Sequence, residues 1–169
     1  DLRQTADAHR GEIAVRLTEG VQTNEVGRSA ALLGGYLEVA RLGLPLRVLE
    51  VGASAGLNLL FDHYRYLGPG GAAFGPPESP LVFDQPWFAG APELVVPLVV
   101  QERTGCDVAP IDVVTTEGRQ RLRSFVWGDQ LDRLARLDAA LAVAQADPPV
   151  VERASAPEWL RHQLSSPRP

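Results

Sequence analysis

The sequence predicts an α/β fold with a mainly parallel sheet, and three observations predict it. Segments with helical periodicity alternate with short apolar runs. A tight turn of small residues joins one apolar run to a helix-like segment. A second run–helix–run unit follows in the C-terminal part. The chain has 169 residues, 45% hydrophobic and 22% charged, which is enough apolar side chain to build the core of an ordinary domain.

The elements follow in chain order. Residues 2–19 place Leu2, Ala6, Ile13 and Leu17 near one face, with Gly20 as a stop, and predict a helix. Thr23 or Asn24 caps a second helix, residues 25–42, with a stripe of Val26, Ala30, Leu33, Leu37 and Ala40 ended by Gly43. Gly34-Gly35 in its middle predicts the close approach of another segment. Residues 46–51 (LRVLEV) predict a strand. Residues 57–66 predict a helix burying Leu57, Leu60, Phe61 and Tyr64. The Gly- and Pro-rich residues 67–93 predict a long excursion with one short strand at 81–83. Residues 94–101 predict a strand that Pro97 confines to a sheet edge. Residues 102–117 read as irregular, with Asp112 or Thr115-Thr116 starting a short helix. Residues 122–127 predict a strand. Residues 129–145 form the best-patterned helix, with Leu131, Leu134, Leu137, Leu141 and Ala144 on one side. A strand at 150–153 and a helix at 157–164, with Pro157 in its first turn, close the chain.

Together these elements predict a Rossmann-like three-layer sandwich, incomplete, with an N-terminal helical segment and an edge-strand insertion. Residues 1–45 are expected to pack on the sheet. Residues 46–169 are expected to form the partial Rossmann-like domain, interrupted at about 67–118. An open sheet edge predicts a homodimer. The chain has no Met, so it is expected to be a piece of a longer protein.

Composition excludes several function classes. The net charge of −5 lacks the electrostatic footprint for phosphate backbones, so no nucleic acid partner is expected. All basic residues are Arg, which excludes a Walker lysine, a Schiff base and a Ser-Lys dyad. Cys106 is the only cysteine, which excludes a disulfide scaffold and a Cys-x-x-Cys zinc site. The longest apolar stretch, residues 94–100, carries Pro97, so no membrane span is expected. No signal peptide precedes the first helix-like segment, and a cytoplasmic location is expected.

The loop from Glu50 to Asn58 (EVGASAGLN) carries the functional argument, and it reads in three ways. The first is an S-adenosylmethionine site. Such methyltransferases have an acidic-x-Gly-x-Gly-x-Gly turn after the first strand. Glu50, Gly52 and Gly56 match it, and Ser54 replaces the middle glycine. Glu50 would face the cationic amino-acid end of the cofactor, and Gly52, Ala53, Ser54, Gly56 and Asn58 would line the turn. The second is a serine hydrolase, because Gly52-Ala53-Ser54-Ala55-Gly56 is G-x-S-x-G between strand and helix, with Ser54 as nucleophile. Only helices precede this turn, and neither His63 nor His162 fits the order of a triad. The third is a noncatalytic α/β interaction module, since any tight strand-to-helix turn selects small residues.

Asp129, directly after the predicted strand 122–127, stands where nucleotide-binding folds hold ribose hydroxyls, and it reads equally as a helix cap. Glu102 is the rival ribose ligand. Ser155, after strand 150–153, stands where many methyltransferases place an acid near adenine. Gln22, Asn24, Glu25 and Arg28 precede the second helix and are placed to reach over the loop, with Arg28 as a carboxylate clamp or a surface residue. Cys106, Asp107 and Asp112 lack a nearby His and make a poor metal set; a structural turn with Asp112 as a cap is the simpler reading. His63 reads as a partly exposed helix residue. Trp87 and Phe88 form an apolar spot on the excursion.

Several stretches together resemble one family: residues 22–28 (QTNEVGR), residues 49–59 (LEVGASAGLNL), Gly105-Cys106-Asp107 with Pro110 and Asp112, and Phe125-Val126-Trp127 with Asp129-Gln130. The combination resembles the bacterial domain-of-unknown-function family 2332 from about Gln22 to Leu164. The resemblance implies a methyltransferase-like sheet and a chain that is part of a longer protein. Gly128 and Ser155 depart from the residues usual in that family, Pro and Asp.

Overall fold

The computed structural model describes residues 1–18, 20–22, 25–84, 86–87 and 90–165. The caps expected at Thr23 and Asn24, and Phe88, lie outside the described residues. Three parallel strands organise the molecule: β1 (Leu46–Val51), β5 (Val100–Asp107) and β6 (Val151–Arg153), in the spatial order β1-β5-β6. Glu50 lies opposite Gly105 and Val51 opposite Cys106, while Asp107 pairs with Arg153. First, second and third sheet strands thus lie side by side, the arrangement of one half of a doubly wound sheet. The Rossmann-like α/β expectation holds.

Helices cover both faces. On one face lie α3 (Arg28–Ala40), the 3-10 helix Leu57–His63 and α5 (Leu131–Ala146). They bury Leu33, Leu37, Leu57, Leu60, Phe61, Leu137 and Leu141 with Val48 of β1. On the other face, α6 (Ala156–Leu164) is tied down by polar contacts. Arg47 of β1 donates to the Gln163 carbonyl and side chain at 2.9 and 2.7 Å, and Trp159 Nε1 donates to Glu152 at 2.9 Å.

The excursion after the 3-10 helix forms a small second sheet: β2 (Arg65–Leu67), β3 (Ala73–Phe74) and β4 (Val82–Asp84), ordered β3-β2-β4. Tyr66 stacks on Phe83, with ring centroids 5.0 Å apart. The helix expected over 57–66 therefore ends at His63, and its last residues turn into β2. Leu57, Leu60, Phe61 and Tyr64 are buried as expected.

Four expectations need correction. Residues 2–19 form two helices, α1 (Leu2–Ala8) and α2 (Arg10–Thr18), and neither buries a residue. Leu2 and Leu17 are 87% and 80% exposed, so the core residues of the N-terminal segment come from Val26 and α3. Residues 94–99 form no strand. The strand begins at Val100, beyond Pro97, which has no N–H to give to a ladder. β5 is also the central strand. Its polar residues disguise it, because Glu102 pairs with Arg47 at 2.9 Å and Arg103 pairs with Asp62 at 2.5 and 2.7 Å. Residues 122–127 are not a strand. They are the end of α4 (Thr116–Ser124) and the turn after it, capped at its start by the Thr115 side chain. Leu122, Phe125 and Val126 repeat at helical spacing, and the run was short enough to be read either way.

Candidate functional site

β1 delivers Glu50 to the C-terminal edge of the sheet, on the face covered by α3 and the 3-10 helix. Its carboxylate is largely buried, and among the described residues Oε2 has no hydrogen-bond partner. Burial pushes Glu50 up to about 7, against the opposing pull of an Asn58 hydrogen bond and the Arg28 charge. Burial and the Glu50 charge together raise the Tyr36 hydroxyl. Asn58 is itself fixed, since buried Ser29 of α3 donates Oγ to its Oδ1 at 2.9 Å.

The turn that follows divides into an open part and a packed part. Gly52 has φ +66°, and a Cβ there would meet nothing within 4 Å. Gly56, at φ +71°, would bring a Cβ within 2.8 Å of Val151 and 2.9 Å of Pro149, so it serves the approach of β6 to the turn. Between them, Ala53, Ser54 and Ala55 are buried. Their backbone is spent on the protein: Ala53 N–H donates to the Cys106 carbonyl at 3.0 Å, and Gly56 N–H to the Ala53 carbonyl at 2.7 Å. Ser54 N–H donates to Asp107 Oδ2 at 2.8 Å.

Ser54 adopts φ +55°, the conformation a glycine would take without strain. It is held there by a closed ring of hydrogen bonds from three segments. The Ser54 hydroxyl bonds Gln22 Oε1, and Gln22 Nε2 donates to the Ala109 carbonyl at 2.8 Å. Ala109 N–H donates to Asp107 Oδ1 at 2.9 Å, and Asp107 Oδ2 returns to Ser54. Gln22 therefore does reach over the loop. Glu25 instead pairs with Arg133 at 2.8 Å and Arg136 at 3.0 Å of α5.

The remaining expected residues lie elsewhere. Asp129 follows α4 and a turn rather than a strand, and is exposed in an open cleft with Glu25, Arg133 and Arg136. Glu102 is mid-strand and paired with Arg47. The acid at the end of the second sheet strand is Asp107, one strand over from Glu50. The polar, long-range-paired residues of β5 hide it in the sequence. Ser155 stands at the start of α6 with its hydroxyl on Glu158 at 2.9 Å. His63 lies 3.7 Å from Asp147. Asp112 caps the turn before α4 through Val114 N–H at 2.8 Å. No group of three His, Cys, Asp or Glu suited to a metal ion exists among the described residues. No helix among them is long and apolar enough to cross a membrane.

This arrangement favours a positively charged ligand over a phosphate. Three turn N–H groups that would cradle an anion are already used, and the nearest charge is a carboxylate. The sequence profile of one family, described as "Uncharacterized protein conserved in bacteria (DUF2332)", matches residues 1–169. No curated protein and no solved structure matches the chain.

Proposed function

The chain belongs to the DUF2332 family of uncharacterised bacterial proteins, and we propose that it binds S-adenosylmethionine at the Glu50 turn as a methyltransferase-like protein. The observation that carries this reading is the Glu50 carboxylate, with a buried oxygen left unpaired at the end of the first sheet strand. An unpaired buried carboxylate oxygen is costly, and a cationic ligand group is what would satisfy it. The open space over Gly52 fits the same ligand, because backbone without a side chain there admits close approach. Ser54 replaces the motif's middle glycine without closing that space, since its φ is glycine-like and its hydroxyl bonds Gln22.

In this reading Glu50 would hold the ammonium of the amino-acid end, and Asp107, at the end of the neighbouring strand, would be the acid offered to the ribose in place of Asp129 or Glu102. When bound, the cofactor supplies a methyl group on a sulfonium, activated for transfer. The chain's contribution is position, so no catalytic base is named.

The hydrolase alternative has one observation in its favour, the positive φ of Ser54 at a strand-to-helix turn. Against it, Ser54 is 5% exposed, its hydroxyl bonds Gln22, and His63 is engaged with Asp147.

The test is calorimetric titration of S-adenosylhomocysteine into the wild type and Glu50→Ala. Saturable binding lost in the variant supports the reading. Binding that Glu50→Ala leaves intact, or no binding by the wild type, rejects it.

A further inference from the structure

Among the described residues, Ser54 alone is not glycine yet has a positive φ, +55°. Its Cβ makes that conformation unfavourable, so contacts from outside the turn must impose it. Two other segments supply them. From the loop after β5, Asp107 Oδ2 accepts the Ser54 N–H at 2.8 Å, and Ile111 N–H donates to the Ser54 carbonyl at 3.2 Å. From the chain between α2 and α3, Gln22 Oε1 accepts the Ser54 hydroxyl.

These contacts differ in kind. The first two use only the backbone of position 54, and any residue there can make them. The third needs the hydroxyl. It also needs an anchored acceptor, and Gln22 is anchored, because its Nε2 donates to the Ala109 carbonyl at 2.8 Å. A side-chain amide accepts and donates at once, which suits it to bridge the turn and the loop after β5.

The flanks of the turn leave a released Ser54 one way to move. Ala53 packs against β5 at Gly105, where a Cβ would lie 2.6 Å from the Cβ of Ala53. Gly56 packs against Pro149 and Val151. Only over Gly52 does the turn meet nothing. A turn relaxing toward negative φ at Ser54 therefore shifts into the space that a ligand needs.

We propose, resting on the reading of the Glu50 turn as a cofactor site, that Gln22 is a positioning residue for that turn. Through the Ser54 hydroxyl it holds the left-handed conformation that keeps the space over Gly52 open, and it does so without touching the ligand. Serine and glutamine together do here what a glycine at position 54 would do alone. Only the open form binds, so loosening the contact lowers the apparent affinity by the fraction that closes.

The test is calorimetric titration of S-adenosylhomocysteine at pH 8 into the wild type, Gln22→Ala, Ser54→Ala, Ser54→Gly and the Gln22→Ala, Ser54→Gly double variant, each shown to melt cooperatively. Gln22→Ala and Ser54→Ala both break the contact and keep the Cβ. Each should weaken binding roughly fivefold to thirtyfold, the left-handed penalty of an L-residue expressed as a population. Ser54→Gly also loses the hydroxyl but adopts a positive φ freely, so it should recover most of what Ser54→Ala loses. In the Ser54→Gly background Gln22→Ala should weaken binding no further, although it still removes the bond to the Ala109 carbonyl. A general structural role for Gln22, or a direct contact with the ligand, predicts the same loss in both backgrounds. That outcome overturns the proposal and leaves the cofactor reading intact, as does wild-type affinity in Gln22→Ala. No binding by the wild type overturns both.

Discussion

Asp107 Oδ2 accepts the Ser54 N–H at 2.8 Å while Asp107 Oδ1 accepts the Ala109 N–H at 2.9 Å, so one carboxylate pins two loops at the end of the sheet. It also holds Ser54 in a left-handed conformation that a non-glycine residue adopts only when its surroundings impose it. Asp107→Ala removes both acceptors and should cost about 2–4 kcal/mol. Asp107→Asn keeps one carbonyl acceptor and should cost about half as much. Urea midpoints at constant slope check the pair.

Glu50 predicts an unusual pH dependence of stability. A carboxyl whose folded value is raised to about 7 holds its proton more tightly folded than unfolded. Its contribution is therefore fully present below the ordinary carboxylate value of 4.5 and is lost as pH rises through 7. The full loss is on the order of 3 kcal/mol. Glu50→Gln should remove most of that slope and be more stable than the wild type at pH 8. Denaturant unfolding at pH 5 and pH 8 measures it, and identical slopes in both proteins would contradict the assignment. The same ionisation means that a cationic ligand binds more tightly as pH rises toward 8.

The two matching glycines should respond differently to a methyl group. Gly56→Ala adds a Cβ 2.8 Å from Val151 and 2.9 Å from Pro149 at φ +71°, and should cost about 3 kcal/mol or more. Gly52→Ala meets only the penalty of its positive φ, about 1–2 kcal/mol, so the protein folds while the space over the turn is narrowed. Thermal unfolding with cofactor titration separates these outcomes.

Ser54 should not react with a fluorophosphonate probe, because it is buried and its hydroxyl bonds Gln22. Labelling that disappears in Ser54→Ala would instead establish the hydrolase chemistry.

The legible part of this fold was the part with clean periodicity. The stripe from Val26 to Ala40, strand 46–51 and the Leu-rich helix before Pro148 were readable because each buries one face against the core. β5 was not readable, because its charged side chains find partners on other elements: Arg103 on Asp62 and Glu102 on Arg47. A polar residue paired at long range looks like loop when only neighbours in sequence are visible. Without β5, the acid that ends the second sheet strand, Asp107, stays hidden among the residues read as irregular. The strand and tight turn around Glu50 were readable, since their signal is local: an apolar strand ending in an acid, then small residues.

The measurement that tests the central claim most directly is a titration of S-adenosylhomocysteine followed by backbone amide NMR at pH 8. The account predicts saturable shifts concentrated at Glu50, Gly52 and Asn58, with weaker ones at Asp107. Shifts confined to the cleft around Asp129, or a spectrum unchanged at saturating ligand, would contradict it.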